Sequence, residues 1–179
     1  MTPLSGVVLA SDCLGLWQRT LLIEADGSRD TKPGVTWLQG VTAYVDSRGF
    51  AGRLDQNDNA FWWHRMVDLE PPGPHPDVGA MDWQDGVLVE TGVYEDYVEH
   101  WVRDDGGATP CGALFMVAPN GSAGLLLRVG DRFGWAGGDE VVIDLVDGPR
   151  WKAMEFRGEH IRRNGVSWTV EDSEGNVNP

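Results

Sequence analysis

The sequence is short of basic residues and of long apolar runs. Its 179 residues contain 14 Lys and Arg against 28 Asp and Glu, which gives a formal net charge of −14 at pH 7. A field of this sign repels phosphate backbones and anionic membrane surfaces, so we expect neither nucleic acid nor a membrane as a partner. No apolar run approaches the roughly 18 residues that a membrane-spanning helix needs.

Cysteine is scarce as well. Cys13 and Cys111 are too few for a disulfide framework or a four-ligand metal site, and no pair of histidines has metal-site spacing. Neither a Gly-x-Ser-x-Gly motif nor a phosphate-binding glycine loop is present, so we expect no cofactor and no metal. The opening stretch MTPLSGVVLASDCLG has no basic segment, which predicts a cytoplasmic protein without a signal peptide.

Glycine and proline are abundant, with 24 and 10 residues, and they leave little room for long helices. Apolar and polar residues alternate along the chain, most clearly in 60–68 (AFWWHRMVD), and Pro119-Asn120-Gly121 marks a hairpin. This pattern predicts an all-β fold: a single antiparallel meander closed into a lipocalin-like barrel of about ten strands, with little helix. A two-sheet sandwich is the alternative. We expect one domain over 1–179, with a frayed polar tail at 172–179.

Tryptophan is the unusual component, with nine residues against three Tyr and five Phe. The nine lie at positions 17, 37, 62, 63, 83, 101, 135, 151 and 168. They either fill a large core or line an aromatic cavity, because an indole offers a rigid apolar face together with an N–H that seeks a partner.

Two sets of motifs resemble known barrels. Gly15-Leu16-Trp17 resembles the G-x-W that opens lipocalins and related calycin barrels. The resemblance implies that Trp17 plugs the barrel base and stacks on an arginine of a late strand; Arg157, Arg162 and Arg163 are the candidates.

A longer stretch resembles the fungal Hrr-interacting protein family of cytosolic lipocalin-like barrels. The similar elements are Trp83 to Gly92 (WQDGVLVETG), Glu99-His100-Trp101 and Gly165 to Val170 (GVSWTV), with Asn59 to Trp63 as an aromatic-rich strand. The resemblance implies the barrel fold but no chemistry. Members of that family are longer and have two barrel-like halves, whereas this chain has room for one.

Alternation also selects candidate site residues. Strand geometry places Tyr97, Glu99, Trp101 and Arg103 on one face, and Glu90 joins them if 87–91 pairs with 94–103. Paired carboxylates beside tryptophan supply a general acid or base, so the candidate catalytic residues are Glu90, Glu99 and His64. The candidate ligand-binding residues are Trp62, Met66, Tyr97, Trp101, Arg103 and Trp151. In the alternative interpretation each glutamate is solvated or pairs with Arg103 or Arg65, and His64 faces outward.

Three functions are consistent with these features. The first is a barrel that binds a small apolar or aromatic molecule in a Trp-lined cavity. The second is an enzyme, an isomerase, cyclase or dehydratase of a hydrophobic metabolite, that uses Glu90, Glu99 or His64 for proton transfer. The third is a protein-interaction module, which a lumen filled by its own tryptophans would favour. Each of the three functions is compatible with a homodimer.

Overall fold

The alternating pattern produces sixteen strands among residues 6–179, which are the residues that the computed structural model describes. The first five residues of the predicted domain, and of the stretch searched for a signal peptide, lie outside this range. In chain order the elements are a 3-10 helix (Ala10–Cys13), β1 (Gly15–Ile23), β2 (Arg29–Asp30), β3 (Thr36–Gln39), β4 (Ala43–Asp46), β5 (Phe50–Asn57), β6 (Ala60–Asp68), β7 (Val78–Gln84), β8 (Val87–Gly92), β9 (Val98–Arg103), β10 (Cys111–Val117), β11 (Ala123–Val129), β12 (Arg132–Gly137), β13 (Glu140–Leu145), α1 (Pro149–Lys152), β14 (Glu155–Arg157), β15 (His160–Arg163) and β16 (Val166–Gly175).

The first half of the chain forms a closed antiparallel barrel. Strands β1 and β3 to β9 pair in sequence, β9 returns to pair with β1, and the short β2 is added beside the end of β1. The predicted all-β antiparallel meander and its closure into a barrel are therefore confirmed. The barrel closes with eight strands rather than about ten, because the chain leaves it after β9.

The remaining strands form a second, open sheet in the order β13-β12-β11-β10-β16-β15-β14. One face of this sheet packs on the outside of the barrel, where Leu38, Val45 and Ala51 meet Phe115 and Leu127 in one buried apolar cluster. The other face has its own core around Trp135, Trp151 and Trp168. The expectation of a single barrel-like unit was therefore incomplete, since a half-barrel accompanies the closed barrel.

The start of the chain closes one end of the barrel. The Trp17 indole N–H donates to the Cys13 carbonyl at 2.7 Å, and the Arg103 guanidinium lies 4.6 Å from the centre of the Trp17 ring. Arg103 also donates to the carbonyl of Asp12 in the 3-10 helix. Gly15 adopts a φ of 134°, a conformation that favours glycine, directly against the Arg103 side chain.

The G-x-W motif thus has the expected arrangement with a different arginine. The candidates Arg157, Arg162 and Arg163 were wrong, because they lie on β14 and β15 of the second sheet. The strand that closes the barrel on β1 is β9, and its last residue is Arg103.

The predicted fraying of 172–179 is also corrected. Residues 172–175 continue β16 and pair with β10, and Val177 is buried. The Glu174 carboxylate accepts hydrogen bonds from the backbone N–H groups of Thr42 and Ala43 at 2.9 and 2.8 Å. Arg128 donates to the Val177 carbonyl at 3.0 Å. Within residues 6–179 no helix is long and apolar enough to cross a bilayer.

Candidate functional site

Strand direction places the open end of the barrel opposite the 3-10 helix. Strand β1 starts at the closed end and finishes at Ile23, and the antiparallel order brings the 47–49 turn, the proline-rich 70–77 segment and the 93–97 segment to the same open end. The site residues described below lie at this end.

Tryptophan side chains fill the middle of the barrel. Trp37 stacks on Trp17 with 5.6 Å between ring centres, and its ring meets Trp63 and Trp101 edge-on at 5.8 and 5.6 Å. These four rings are buried. The space that remains on the open side of them is an interior cavity of about 10 Å³, bordered by Trp37, Trp63 and Trp101. The tryptophans therefore form a packed floor across the barrel.

A layer of ion pairs covers this floor. Arg48 binds the Asp46 carboxylate through two nitrogens, at 3.0 and 2.8 Å. The Glu99 carboxylate accepts from Arg19 at 3.0 Å and from Arg48 at 3.3 Å. The arginine partners of Glu99 are thus Arg19 and Arg48, whereas the sequence suggested Arg103 or Arg65.

Glu90 lies directly opposite Glu99 in the pairing of β8 and β9, so the predicted shared face is present. The Tyr97 hydroxyl donates to Glu90 Oε2 at 2.6 Å. A Cβ at Gly79 would come within 2.7 Å of Glu90 Cγ, so the glycine provides the room for this carboxyl group. Burial raises the pKa of Glu90 well above its ordinary value, and the charges of Glu99 and Asp77 raise it further. Glu90 therefore favours its protonated form.

Two cavities open above the ion-pair layer. The rim cleft, about 500 Å³, lies over Arg48, Arg65, Tyr97 and Glu99. The proline cleft, about 680 Å³, lies between β6 and the 72–76 segment. Asp77 borders both clefts and the interior cavity.

Arg65 forms much of the boundary between the two clefts. Its guanidinium binds Asp68 and Asp77, each at 3.0 Å, and lies 3.7 Å from the centre of the Phe50 ring. Burial raises the pKa of the Asp77 carboxyl, while Arg65 opposes that rise. The boundary between the two clefts is therefore fixed by the ion pairs of Arg65 with Asp68 and Asp77 and by its contact with the Phe50 ring.

The predicted site residues fall into three groups. Glu90, Glu99 and Tyr97 come together at the open end of the barrel, and Trp101 belongs to the tryptophan floor in its middle. Trp62, His64 and Met66 line the proline cleft. Arg103 and Trp151 lie elsewhere: Arg103 is at the closed end, and Trp151 is packed between Phe133 and Phe156 in the second sheet.

His64 does not share a face with the glutamates. Phe61 and Trp63 of β6 point into the barrel core, so Trp62 and His64 lie on the opposite face. The His64 ring stacks on Trp62 with 4.1 Å between ring centres, and its side chain is 42% exposed. His64 therefore faces outward, as the alternative interpretation of the sequence predicted.

Sequence reasoning missed Arg19, Asp46, Arg48 and Asp77. Alternation from Trp17 along β1 contained the signal for Arg19, two residues further on and on the same face. Arg48 lies in the turn after β4, where alternation does not apply, and Asp77 lies in the proline-rich segment.

Comparison with models of protein families, with curated proteins and with solved structures found no match. The likeness to the fungal family therefore remains a resemblance of motifs, and the chemistry of the site rests on its geometry.

Proposed function

We propose that the protein binds a small molecule with an apolar or aromatic body at the open end of the barrel, in the rim cleft and the proline cleft. One observation carries this proposal. The closed barrel has a plugged base and a packed tryptophan floor, while two adjoining cavities of ligand size open at its other end. Small-molecule sites are concave, largely preformed and of about 300–1,000 Å³.

The proline cleft offers the apolar contacts. Trp62 is 44% exposed and Met66 is 40% exposed, although both are large apolar side chains. The stack of Trp62 on His64 presents a flat aromatic surface, and the prolines at 72, 74 and 76 restrict the opposite wall. Arg65, Asp77 and Tyr97 supply polar groups that orient a ligand.

The sequence predicted a Trp-lined cavity inside the barrel. Because tryptophans fill that interior, the proposed site lies in the two clefts at the open end instead. Trp101 belongs to the floor beneath the ligand, and the aromatic wall is Trp62. A lumen filled by tryptophan was the feature expected of an interaction module. That alternative predicts that small molecules do not saturate the clefts, which the following experiment tests.

The test is a titration with N-phenyl-1-naphthylamine, an apolar aromatic probe, followed by energy transfer from the tryptophans. We expect saturable transfer in the wild type. Met66→Ala removes apolar contact area and weakens binding about fivefold to tenfold. The control is Leu145→Ala, since Leu145 is similarly exposed but lies on the second sheet. Absence of saturation, or equal loss in both variants, would overturn the proposal and favour the interaction module.

Glu90 favours a second candidate function, proton-transfer catalysis. A buried carboxyl that favours its protonated form and accepts from Tyr97 is suited to act as a general acid. We infer that, if the bound molecule is a substrate, Glu90→Gln abolishes turnover while the probe above still binds. Turnover that survives in Glu90→Gln would exclude this role.

A further inference from the structure

The indole N–H of Trp101 lacks a hydrogen-bond partner. Trp101 is 1% exposed, and within residues 6–179 its Nε1 is the one buried side-chain nitrogen or oxygen without a partner. The neighbouring indoles of Trp17 and Trp37 donate to the Cys13 carbonyl and to Gln39 Oε1. Because leaving a buried donor unpaired destabilises the folded state, such an atom in a folded protein requires an explanation.

The interior cavity lies beside this indole. Trp101 borders it together with Glu90, Asp46, Arg48 and Asp77, so its wall is polar on one side and aromatic on the other. Its volume of about 10 Å³ matches the space that one water-sized atom occupies. Arg48 and Asp77 also border the rim cleft, so the cavity adjoins that cleft.

We propose that the interior cavity is a subsite for one carbonyl oxygen of the bound molecule, which accepts hydrogen bonds from Trp101 Nε1 and from the Glu90 carboxyl group. This inference rests on the proposed binding at the open end of the barrel. It adds the ligand class, an apolar or aromatic molecule that carries a ketone or aldehyde group.

Both donors are suited to this role. Tyr97 donates to Glu90 Oε2, which leaves Oε1 to carry the carboxyl proton and donate it. The elevated pKa of Glu90, caused first by burial, supports a protonated carboxyl group. Two donor-bearing residues that border the same small polar space fit a neutral acceptor atom.

Other head groups fit less well. A carboxylate needs room for two oxygens, and it would approach the carboxylates of Asp46 and Asp77. An ammonium group would bring its own donors against the Trp101 N–H and the Arg48 guanidinium. A carbonyl oxygen has neither problem, and the apolar body attached to it stays in the rim cleft.

The test compares two probes of equal shape, 2-acetylnaphthalene and 2-isopropenylnaphthalene, in which C=O is replaced by C=CH₂. We expect the wild type to bind the ketone about tenfold more tightly, because the alkene leaves the buried donors unpaired. In Trp101→Phe, which keeps an aromatic ring but loses the N–H, the preference falls to about twofold or less. Trp63→Phe is the matched control, because Trp63 also borders the cavity.

A second measurement uses only the wild-type protein and does not depend on the folding of a variant. With indole ¹⁵N labelling, the ketone should shift the Trp101 Nε1–H resonance of the wild type downfield, and the alkene should not. Equal affinity for ketone and alkene, with no shift, would overturn the carbonyl subsite and leave binding at the open end intact. If neither probe saturates, the carbonyl subsite and the proposed function both fail.

Discussion

Glu90 and Glu99 face each other inside the same barrel, yet their surroundings give them different roles. Glu99 is neutralised by Arg19 and Arg48 at hydrogen-bond distance. Among the described residues Glu90 has no ion pair, and it accepts from the uncharged Tyr97. Two neighbouring carboxyl groups thus divide into one that is paired with two arginines and one that favours a proton.

This division makes the stability of the fold depend on pH. The pKa of Glu90 is higher in the folded chain than in the unfolded chain, so its contribution is complete below the ordinary glutamate pKa and is lost as pH rises through the folded value. We predict that the free energy of unfolding falls as pH rises above the ordinary glutamate pKa, and falls less in Glu90→Gln. Urea titrations at several pH values measure this.

Glu70→Gln is the control for that experiment, because Glu70 is an exposed residue at the open end of the barrel. Its pH profile should run parallel to the wild type. A Glu90→Gln profile that also runs parallel to the wild type would show that Glu90 titrates normally in the folded chain.

Individual residues were placed correctly where the alternation of apolar and polar residues alone determines which face of a strand they occupy. Strand periodicity placed Glu90, Glu99 and Trp101 on a common face, and the structure has them there. The stacking partner of Trp17, expected at Arg157, Arg162 or Arg163, was mispredicted, because the arginine that meets Trp17 is decided by which strand closes the barrel.

Strand β16 connects the two sheets through two carboxylates, Asp172, which binds Arg53 of β5 at 2.8 Å, and Glu174. Glu174 accepts from the backbone N–H groups of Thr42 and Ala43 and from the Thr42 hydroxyl at 2.5 Å, all at the hairpin between β3 and β4. The Arg53 guanidinium lies 3.8 Å from the same carboxylate. The last strand of the second sheet therefore holds a turn of the barrel.

We predict that Glu174→Ala lowers the free energy of unfolding by about 2–3 kcal/mol, because it leaves backbone donors without their charged acceptor. Glu171→Ala, an exposed change on the same strand, should alter it by less than about 0.5 kcal/mol. Equilibrium urea unfolding measures both variants. Equal values would show that the Glu174 contacts contribute nothing to stability.

Strands and turns that depend on local sequence were predicted correctly, whereas the tail, which depends on contacts with distant residues, was not. The strand predicted at 60–68 is β6, and the Pro119-Asn120-Gly121 hairpin joins β10 to β11. The tail was mispredicted because its partners, Thr42 and Arg128, lie far away in sequence. The polar composition of a chain end predicts fraying as long as its tertiary contacts are unknown.

The whole molecule shares one buried layer between its two sheets. Leu38 and Val45 on the outside of the barrel pack with Phe115, Leu125 and Leu127 of the second sheet. Neither face could stay exposed to water without a large apolar penalty. The fold class followed from alternation, but the number of barrel strands did not, because periodicity does not say where a sheet closes.

We predict that the chain unfolds as one cooperative unit. In a urea titration followed by NMR, the indole signals of Trp63 in the barrel and Trp135 in the second sheet should disappear at the same urea concentration. Loss of the Trp135 signal at a lower concentration would show that the second sheet unfolds separately and that the chain has two domains.

The order of the two sheets along the chain has a consequence for biosynthesis. The barrel is complete at Arg103, whereas the strands that cover its outer apolar face begin at Cys111 and end with β16. At about 5–20 residues per second, a ribosome takes several seconds to make that cover. During this interval Leu38 and Val45 of the nascent chain lack the residues that bury them in the finished fold, so an apolar surface that could aggregate is covered only late in synthesis.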